Sequence, residues 1–393
     1  MNPSPLSTGR TVIFKLPFFI KMRYILIIIL LVQWGFSSIQ KDYFSERDDF
    51  DFPMEEPIPL DALCRAYNPA LVNLEENAQD FIVTTKQIEI AGYPGAFNPS
   101  IIRWENSLLL SFRIRNPISK GTDGIGLVWL DEEFNPISEP QVLSIPYEKQ
   151  PISKQQDPRL IAIGNHLFLV YNNVIDPIVH PELRRMYYVE LIYDGISFSP
   201  QKPQAITKYP YQLSYRQEKN WIPFDFNNQL LLSYTIHPHI VFYPLLHTPI
   251  CELFAETTTT VEWPWGTLRG GTPALKIGDE YLAFFHSCIH LPTLHSNGKN
   301  ILHYFMGAYT FSAMPPFQLT RLSPHPIIGK TFYSGPAYKT WKPLRVVFPC
   351  GYVFDDKYIN VVYGKQDFEM WVVQLDKYKF LESLKPLTQV RQM

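Results

Sequence analysis

Charge is scarce in this chain: Asp, Glu, Lys and Arg make up 18% of 393 residues, and the net charge is −2. No basic stripe interleaves with the aromatics, so nothing offers a grip on a polyanion and nucleic acid is not an expected partner. Cysteine is also scarce. Cys64, Cys251, Cys288 and Cys350 form no CxxC pair, which argues against a structural zinc site. No clustered metal ligands and no glycine-rich nucleotide loop occur, so neither a metal nor a cofactor is expected. Four separate cysteines leave buried free thiols and a single disulfide equally open. Runs rich in Glu, Lys and Ala are missing as well, which disfavours long surface helices.

What the chain has is 46% hydrophobic residues, 15% aromatics and 35 prolines. This mixture suits many short strands joined by tight loops around a sizeable core. At the start, Arg10, Lys15, Lys21 and Arg23 flank an apolar run from Tyr24 to Trp34, and Gly35, Ser37 and Ser38 follow. A basic flank, a short apolar core and a small-residue exit predict a secretory signal over 1–40, with Met22 as the more usual start. The other reading is an uncleaved membrane anchor that joins Phe14–Ile20 to this run. Either one makes the protein exported, whether periplasmic, extracellular or in a secretory pathway, and the second attaches it to a membrane. Residues 41–75 read as an acidic, proline-containing linker and extension.

One phrase then returns five times: turn residues followed by a short apolar run ending in an aromatic. The copies are ENSLLLSF to Phe112, GNHLFLVY to Tyr171, NNQLLLSY to Tyr234, GDEYLAFF to Phe285 and DDKYINVVY to Tyr363. Their ends lie 59, 63, 51 and 78 residues apart, room for about four strands each. The prediction is an all-β domain over 76–393, a five-bladed β-propeller with these runs as its inner strands. A two-sheet sandwich would seldom repeat one phrase at such intervals. Inner strands converge, so the residues after the aromatics (Arg113, Asn172, Thr235, His286 and Gly364–Asp367) are placed near one centre.

Compact polar motifs lie between the repeats: FNPS (Phe97–Ser100), FRIR (Phe112–Arg115), QDPRL (Gln156–Leu160), YRQEKNWIPF (Tyr215–Phe224), RGGTPA (Arg269–Ala274), FFH (Phe284–His286), VVFPCGYV (Val346–Val353) and YGKQD (Tyr363–Asp367). In this order, over about residues 90–370, they resemble glycoside hydrolase family 130. That resemblance implies a five-bladed propeller acting on β-mannosides, mostly by inverting phosphorolysis, with hydrolases and mannosyltransferase/phosphorylases among its relatives. It implies that Asp157 is the catalytic acid and that Asn98, Arg113 and Asp367 line the sugar site, while Arg159 either touches sugar, orients its loop or forms a structural salt bridge. An inverting phosphorylase needs one proton donor, because phosphate arrives already nucleophilic.

Phosphate calls for converging cations, for which Arg216, Lys219, Arg269 and His286 are the candidates, while Gly270 and Gly271 would let backbone approach a ligand. Trp221, Trp263 and Trp265 offer either stacking faces or core packing. Two departures bear on the anion: Ile236-His237-Pro238 stands where phosphorylases of the family often carry His-Arg-Pro, and the EKNW block replaces a Lys-Asp context. Hydrolysis on the same scaffold would need a second carboxylate about 6.5–9.5 Å from the acid; Glu218, Glu262 and Asp367 are candidates. Sugar transfer from an activated donor and a non-catalytic glycan-binding module, with Asp157 as a turn cap, complete the alternatives. An oligosaccharide or glycan is the expected partner in every case.

Overall fold

The computed structural model describes residues 72–388, apart from 116–122, 147–153, 177–179, 212–216, 247 and 339–341. The signal or anchor over 1–40, the Met22 start, nearly all of the linker, Cys64 and Arg216 lie outside the described residues.

The described chain is all-β, and its strands form five sheets arranged like the blades of a propeller. Sheet 1 runs Phe97–Trp104, Ser107–Arg115, Asp123–Leu130 and Gln141–Val142. Sheet 2 contains Gln156–Ile163, His166–Asp176, His180–Tyr193 and the short Phe198–Pro200 and Gln204–Ala205. Sheet 3 comprises Ile222–Phe226, Gln229–Thr235, His239–Pro244 and Cys251–Thr257. Sheet 4 is built on Arg269–Gly270, Leu275–Ile277, Glu280–Pro292, Asn300–Ser312 and Leu319–Leu322. Sheet 5 takes Val347–Phe354, Tyr358–Lys365 and Glu369–Asp376 from the end of the chain, and its outer strand, Ile82–Ile88, from the beginning. Joining both ends of the domain in one antiparallel sheet ties the chain back on itself.

Successive sheets pack face to face, and sheet 5 packs on sheet 1. Apolar clusters fill the spaces between them, two of these clusters lying between sheets 4 and 5. Leu109, Leu127, Leu169 and Val189 lie between sheets 1 and 2; Val170, Met186, Leu232 and Phe242 lie between 2 and 3. Leu231, Val241, Phe285 and Phe311 fill the next gap; Phe284, Phe305, Val361 and Val373 follow it, and Leu110, Ile101 and Val362 close the set. Neighbouring residues of one run therefore face opposite clusters, as Leu231 and Leu232 do. A strand buried on both faces has no regular polar alternation, which is why the runs read as near-continuous apolar stretches.

The five runs fall one to a sheet, but they are the second strands rather than the innermost ones. The inner edge belongs to the strand before each run, the one carrying the polar motif. Each such segment holds a proline: Pro99, Pro158, Pro223, Pro273 and Pro349. An edge strand has one side free of ladder bonds, so the missing N–H is tolerated there. The terminal aromatics of the runs lean on the third strand. Added Cβ atoms at Gly126 and Gly307 would lie 2.4 and 2.3 Å from the Phe112 and Phe285 rings, so only glycine fits beneath them.

Candidate active site

Two inner strands open on the same local device. A β-bulge interrupts the pairing between Phe97 and Ser100 and again between Gln156 and Arg159. The residues within the bulges, Asn98 and Asp157, have φ of +50° and +54°, and each precedes proline. Asn and Asp tolerate this left-handed backbone better than other side chains with a Cβ. A bulge re-aims its side chain out of the pleat. Here it brings Asn98 and Asp157 together, with Asn98 Nδ2 donating to Asp157 Oδ1 at 2.8 Å.

Asp157 is buried. Asn172 Nδ2 donates to its Oδ2 at 3.4 Å, and Arg113 Nη1 lies 3.5 Å from Oδ1. Burial pushes this carboxyl up, but the charges of Arg113, Arg159 and Arg184 and the Asn98 amide outweigh burial and hold it below the usual carboxylate value. It is therefore ionised at neutral pH. Arg113 Nη2 donates to Asp123 Oδ2 at 2.8 Å, so one guanidinium serves two carboxylates. Arg113 and Arg115 both sit 4.5 Å above the Phe97 ring. Asp367 occupies the turn after Tyr358–Lys365 at φ +52°. Its charge acts on Arg115 and, together with that of Asp157, on the buried Cys350 thiol.

Arg159 is fully buried, and its three nitrogens are all engaged by protein. Nε donates to Gly271 O at 2.5 Å, Nη1 to Asp157 O at 3.0 Å and Nη2 to Asn220 Oδ1 at 3.2 Å. The guanidinium thus ties sheets 2 and 4 to the segment entering sheet 3 and braces the Asp157 loop through its carbonyl. Gly270 and Gly271, expected to admit a ligand, admit backbone. A Cβ on Gly270 would lie 1.9 Å from Asn220 O, and one on Gly271 2.4 Å from Phe284 O.

Of the anion candidates, Arg269 pairs with His286 across sheet 4. His286 is buried, with Nδ1 3.0 Å from Gly270 O and its ring beside Phe348 and Tyr304. Burial, then Arg269 and Arg159, with Lys219 adding to them, hold the imidazole well below its ordinary value. The expectation of a cationic His286 is corrected: it is neutral. With Nδ1–H directed at the carbonyl, Nε2 is a hydrogen-bond acceptor. The charges of Arg269, Arg159 and Lys219 all act on this one ring.

The remaining candidates separate by burial. Trp221 is core, donating Nε1 to Glu218 Oε2 at 3.0 Å among Tyr209, Tyr234 and Phe242. Trp263 donates to Ser287 Oγ at 2.8 Å and packs on Trp265 and Phe285. Glu262 and His237 are exposed, and Thr235 turns to Pro238 O of its own hairpin. Cys251 and Cys350 are buried free thiols. Among the described residues there is no cluster fit to hold a metal, and no helix is long and apolar enough to cross a membrane.

No family model matches the sequence, and no curated protein does. Solved structures do match. A β-1,2-mannobiose phosphorylase from Listeria innocua aligns over 80% of this chain and 97% of its own, with TM-score 0.52 and 13% identity. A mannose phosphorylase from Leishmania mexicana, in complex with phosphate ion, aligns over 80% and 93%, with TM-score 0.53 and 12% identity. The fold is that of mannoside-phosphorylase propellers. A glycosyl hydrolase from Bacteroides ovatus shares it over 82% and 94%, with TM-score 0.53 and 13% identity. These likenesses are of fold, and the site is read from its own residues.

Three groups at the centre went unassigned from sequence. Asn172 stands after its aromatic in the repeat, but nothing local marks it as a ligand of Asp157. Asp123 and Arg184 lie on third strands and reach the centre only through sheet pairing, opposite Arg115 and Val174. The recurring proline of the inner strands, at intervals of 59, 65, 50 and 76 residues, is the sequence signal that points to those strands directly.

Proposed function

We propose that this protein is an exported, five-bladed propeller enzyme that makes or breaks β-mannosidic bonds with inversion, using inorganic phosphate as co-substrate and no other cofactor. The observation that carries this reading is the carboxylate of Asp157, gripped by Asn98, Asn172 and Arg113 on an inner strand, with the charges of Arg269, Arg159 and Lys219 acting on a neutral acceptor, His286. Five sheets and five inner-strand prolines among the described residues support the blade count. The basic, apolar and small-residue order of residues 1–40 supports export, by a cleaved signal or a membrane anchor.

In phosphorolysis, a phosphate oxygen forms a bond to the anomeric carbon on the face opposite the departing oxygen. The glycosidic C–O bond breaks, and Asp157, which must first take up a proton from the incoming dihydrogen phosphate or from solvent, passes it to the leaving oxygen, yielding α-mannose 1-phosphate. Lys219 and Arg269 meet the phosphate, with His286 Nε2 accepting a phosphate or sugar hydroxyl proton. Asn98, Arg113 and Asp367 line the sugar. Because Asp157 is ionised, it is ready for the reverse direction, in which it takes a proton from an acceptor hydroxyl as mannose is transferred. That ionised state favours, as a second reading, transfer from an activated mannosyl donor; hydrolysis would need a second carboxylate, of which Asp123, joined to Asp157 through Arg113, is the nearest by contact.

Turnover of β-mannobiose by the purified chain, with and without phosphate, tests the proposal. Release of mannose 1-phosphate only when phosphate is present is expected. Phosphate-independent release of mannose indicates hydrolysis, product formed only from nucleotide-activated mannose indicates transfer, and binding without turnover in any arm overturns the enzyme reading.

A further inference from the structure

We propose that Asn172 is a positioning residue for Asp157, held in its working orientation by Arg184, so that Arg184, Asn172 and Asp157 form one relay from the third strand of sheet 2 to the reacting proton. The inference rests on the proposed role of Asp157 and extends it to two residues that act through it. The Asn172 amide is buried and used at both ends. Its Nδ2 faces Asp157 Oδ2 at 3.4 Å and Gln156 O at 3.2 Å, while its Oδ1 accepts from Arg184 Nη1 at 2.7 Å. A guanidinium on the carbonyl oxygen fixes the polarity of the amide. Turned over, it would set its oxygen against the Asp157 carboxylate and its NH2 against Arg184, two repulsive contacts in a buried place.

The same pair holds the bulge from which Asp157 projects. Arg184 Nη1 also donates to Lys154 O at 3.1 Å, and Lys154 N donates to Asn173 Oδ1 at 2.9 Å. The backbone on the N-terminal side of Asp157 is therefore pinned at Lys154 and Gln156 by the strand that follows it and by the strand after that. The two carboxylate oxygens are engaged unequally. Oδ1 has the short Asn98 bond and the Arg113 charge, whereas among the described residues Oδ2 has only the longer Asn172 contact. Oδ2 is the oxygen left able to exchange a proton, and Asn172 is the group that aims it. The charged and titratable groups around this carboxyl are Arg113, which carries Asp123, together with Arg159, Arg184 and the Cys350 thiol on sheet 5, on which Asp367 also acts.

The test uses the full chain with 13C-labelled aspartate, the Asp157 signal being identified by its loss in Asp157→Asn. Asn172→Ala should raise the titration of Asp157, and lower kcat about ten- to a hundredfold with KM little changed. Asn172→Asp places a second carboxylate at hydrogen-bond distance and should move the titration up by more than about one unit, carrying the alkaline limb of the rate profile with it. Arg184→Gln should lower kcat in the wild-type background and by a smaller factor in Asn172→Ala, where only its direct charge on Asp157 and its bond to Lys154 O are left to lose, the partial non-additivity expected of coupled residues. A folded Asn172→Ala protein with unaltered titration and unaltered kcat overturns the proposal, as does full additivity of the Arg184 and Asn172 substitutions. If no mannoside turns over at all, the functional reading fails, while the titration still decides whether Asn172 and Arg184 control the Asp157 carboxyl.

Discussion

Replacing Asp157 by Asn keeps the volume of the side chain and removes its charge and its capacity to carry a proton. The substituted amide can still present an oxygen to Asn98 Nδ2, which in the native protein donates to Asp157 Oδ1 at 2.8 Å. Its NH2 must then face Asn172 Nδ2, where the native Oδ2 accepts at 3.4 Å. One hydrogen bond to a charged acceptor is replaced by two donors in opposition, a loss of about 1.5–3 kcal/mol. Arg113, Arg159 and Arg184 also lose the negative charge that they share. The variant should remain folded, with a melting temperature lower by roughly 5 °C, on the usual scale of a few degrees per kcal/mol. Turnover should fall at least about 10²-fold, the lower end of what a positioned acid or base contributes. The loss should shrink for mannosides with an activated phenol as leaving group, which departs with little help. Both quantities are to be measured on one preparation, melting by scanning calorimetry and turnover by release of mannose 1-phosphate. A well-folded Asp157→Asn protein with near wild-type rates would refute the assignment; a destabilised protein with full activity per folded molecule would make Asp157 a turn residue.

Lys219→Ala should abolish most of the thermal protection given by phosphate, since a ligand bound only to the native state stabilises it; an unaltered shift in melting temperature with phosphate would remove Lys219 from the anion site. Burial holds His239 neutral, down to about 4, between Ser233 and the Phe317 carbonyl. Its folded value lies below the unfolded 6.5, so the unfolded chain binds the extra proton between these values and stability falls as pH drops from about 6.5 towards 4, by roughly 3 kcal/mol. His239→Gln should flatten that acid slope in denaturant melts, and an unchanged slope counts against it. A Cβ at Gly271 would press on the Phe284 and Pro349 carbonyls at 2.4 and 2.9 Å. Gly271→Ala should therefore cost several kcal/mol or prevent folding, and a wild-type melting temperature would show that the centre can relax.

By itself the sequence determined the all-β class and the five strands buried on both faces, because a strand between two packed neighbours is apolar on both faces, and Phe112, Tyr171, Tyr234, Phe285 and Tyr363 mark their ends. It also determined the polar motifs with Asp157 and Asn98, whose left-handed bulges before proline select Asn and Asp by local sterics. Local patterns could not tell which strand of each sheet is innermost, since that depends on which edge meets the other sheets, and the proline that reveals it reads in isolation as a turn. The charge of His286 was likewise invisible, as it depends on burial and on Arg159 and Arg269 arriving from other strands. The same holds for Arg159, whose partners Gly271 and Asn220 lie 112 and 61 residues away, and for the Arg184–Asn172–Asp157 relay, which exists only where strand pairing sets three side chains end to end. Periodicity and backbone sterics are written along the chain. Electrostatics and hydrogen-bond partnership at the centre belong to distances that only the packed sheets create.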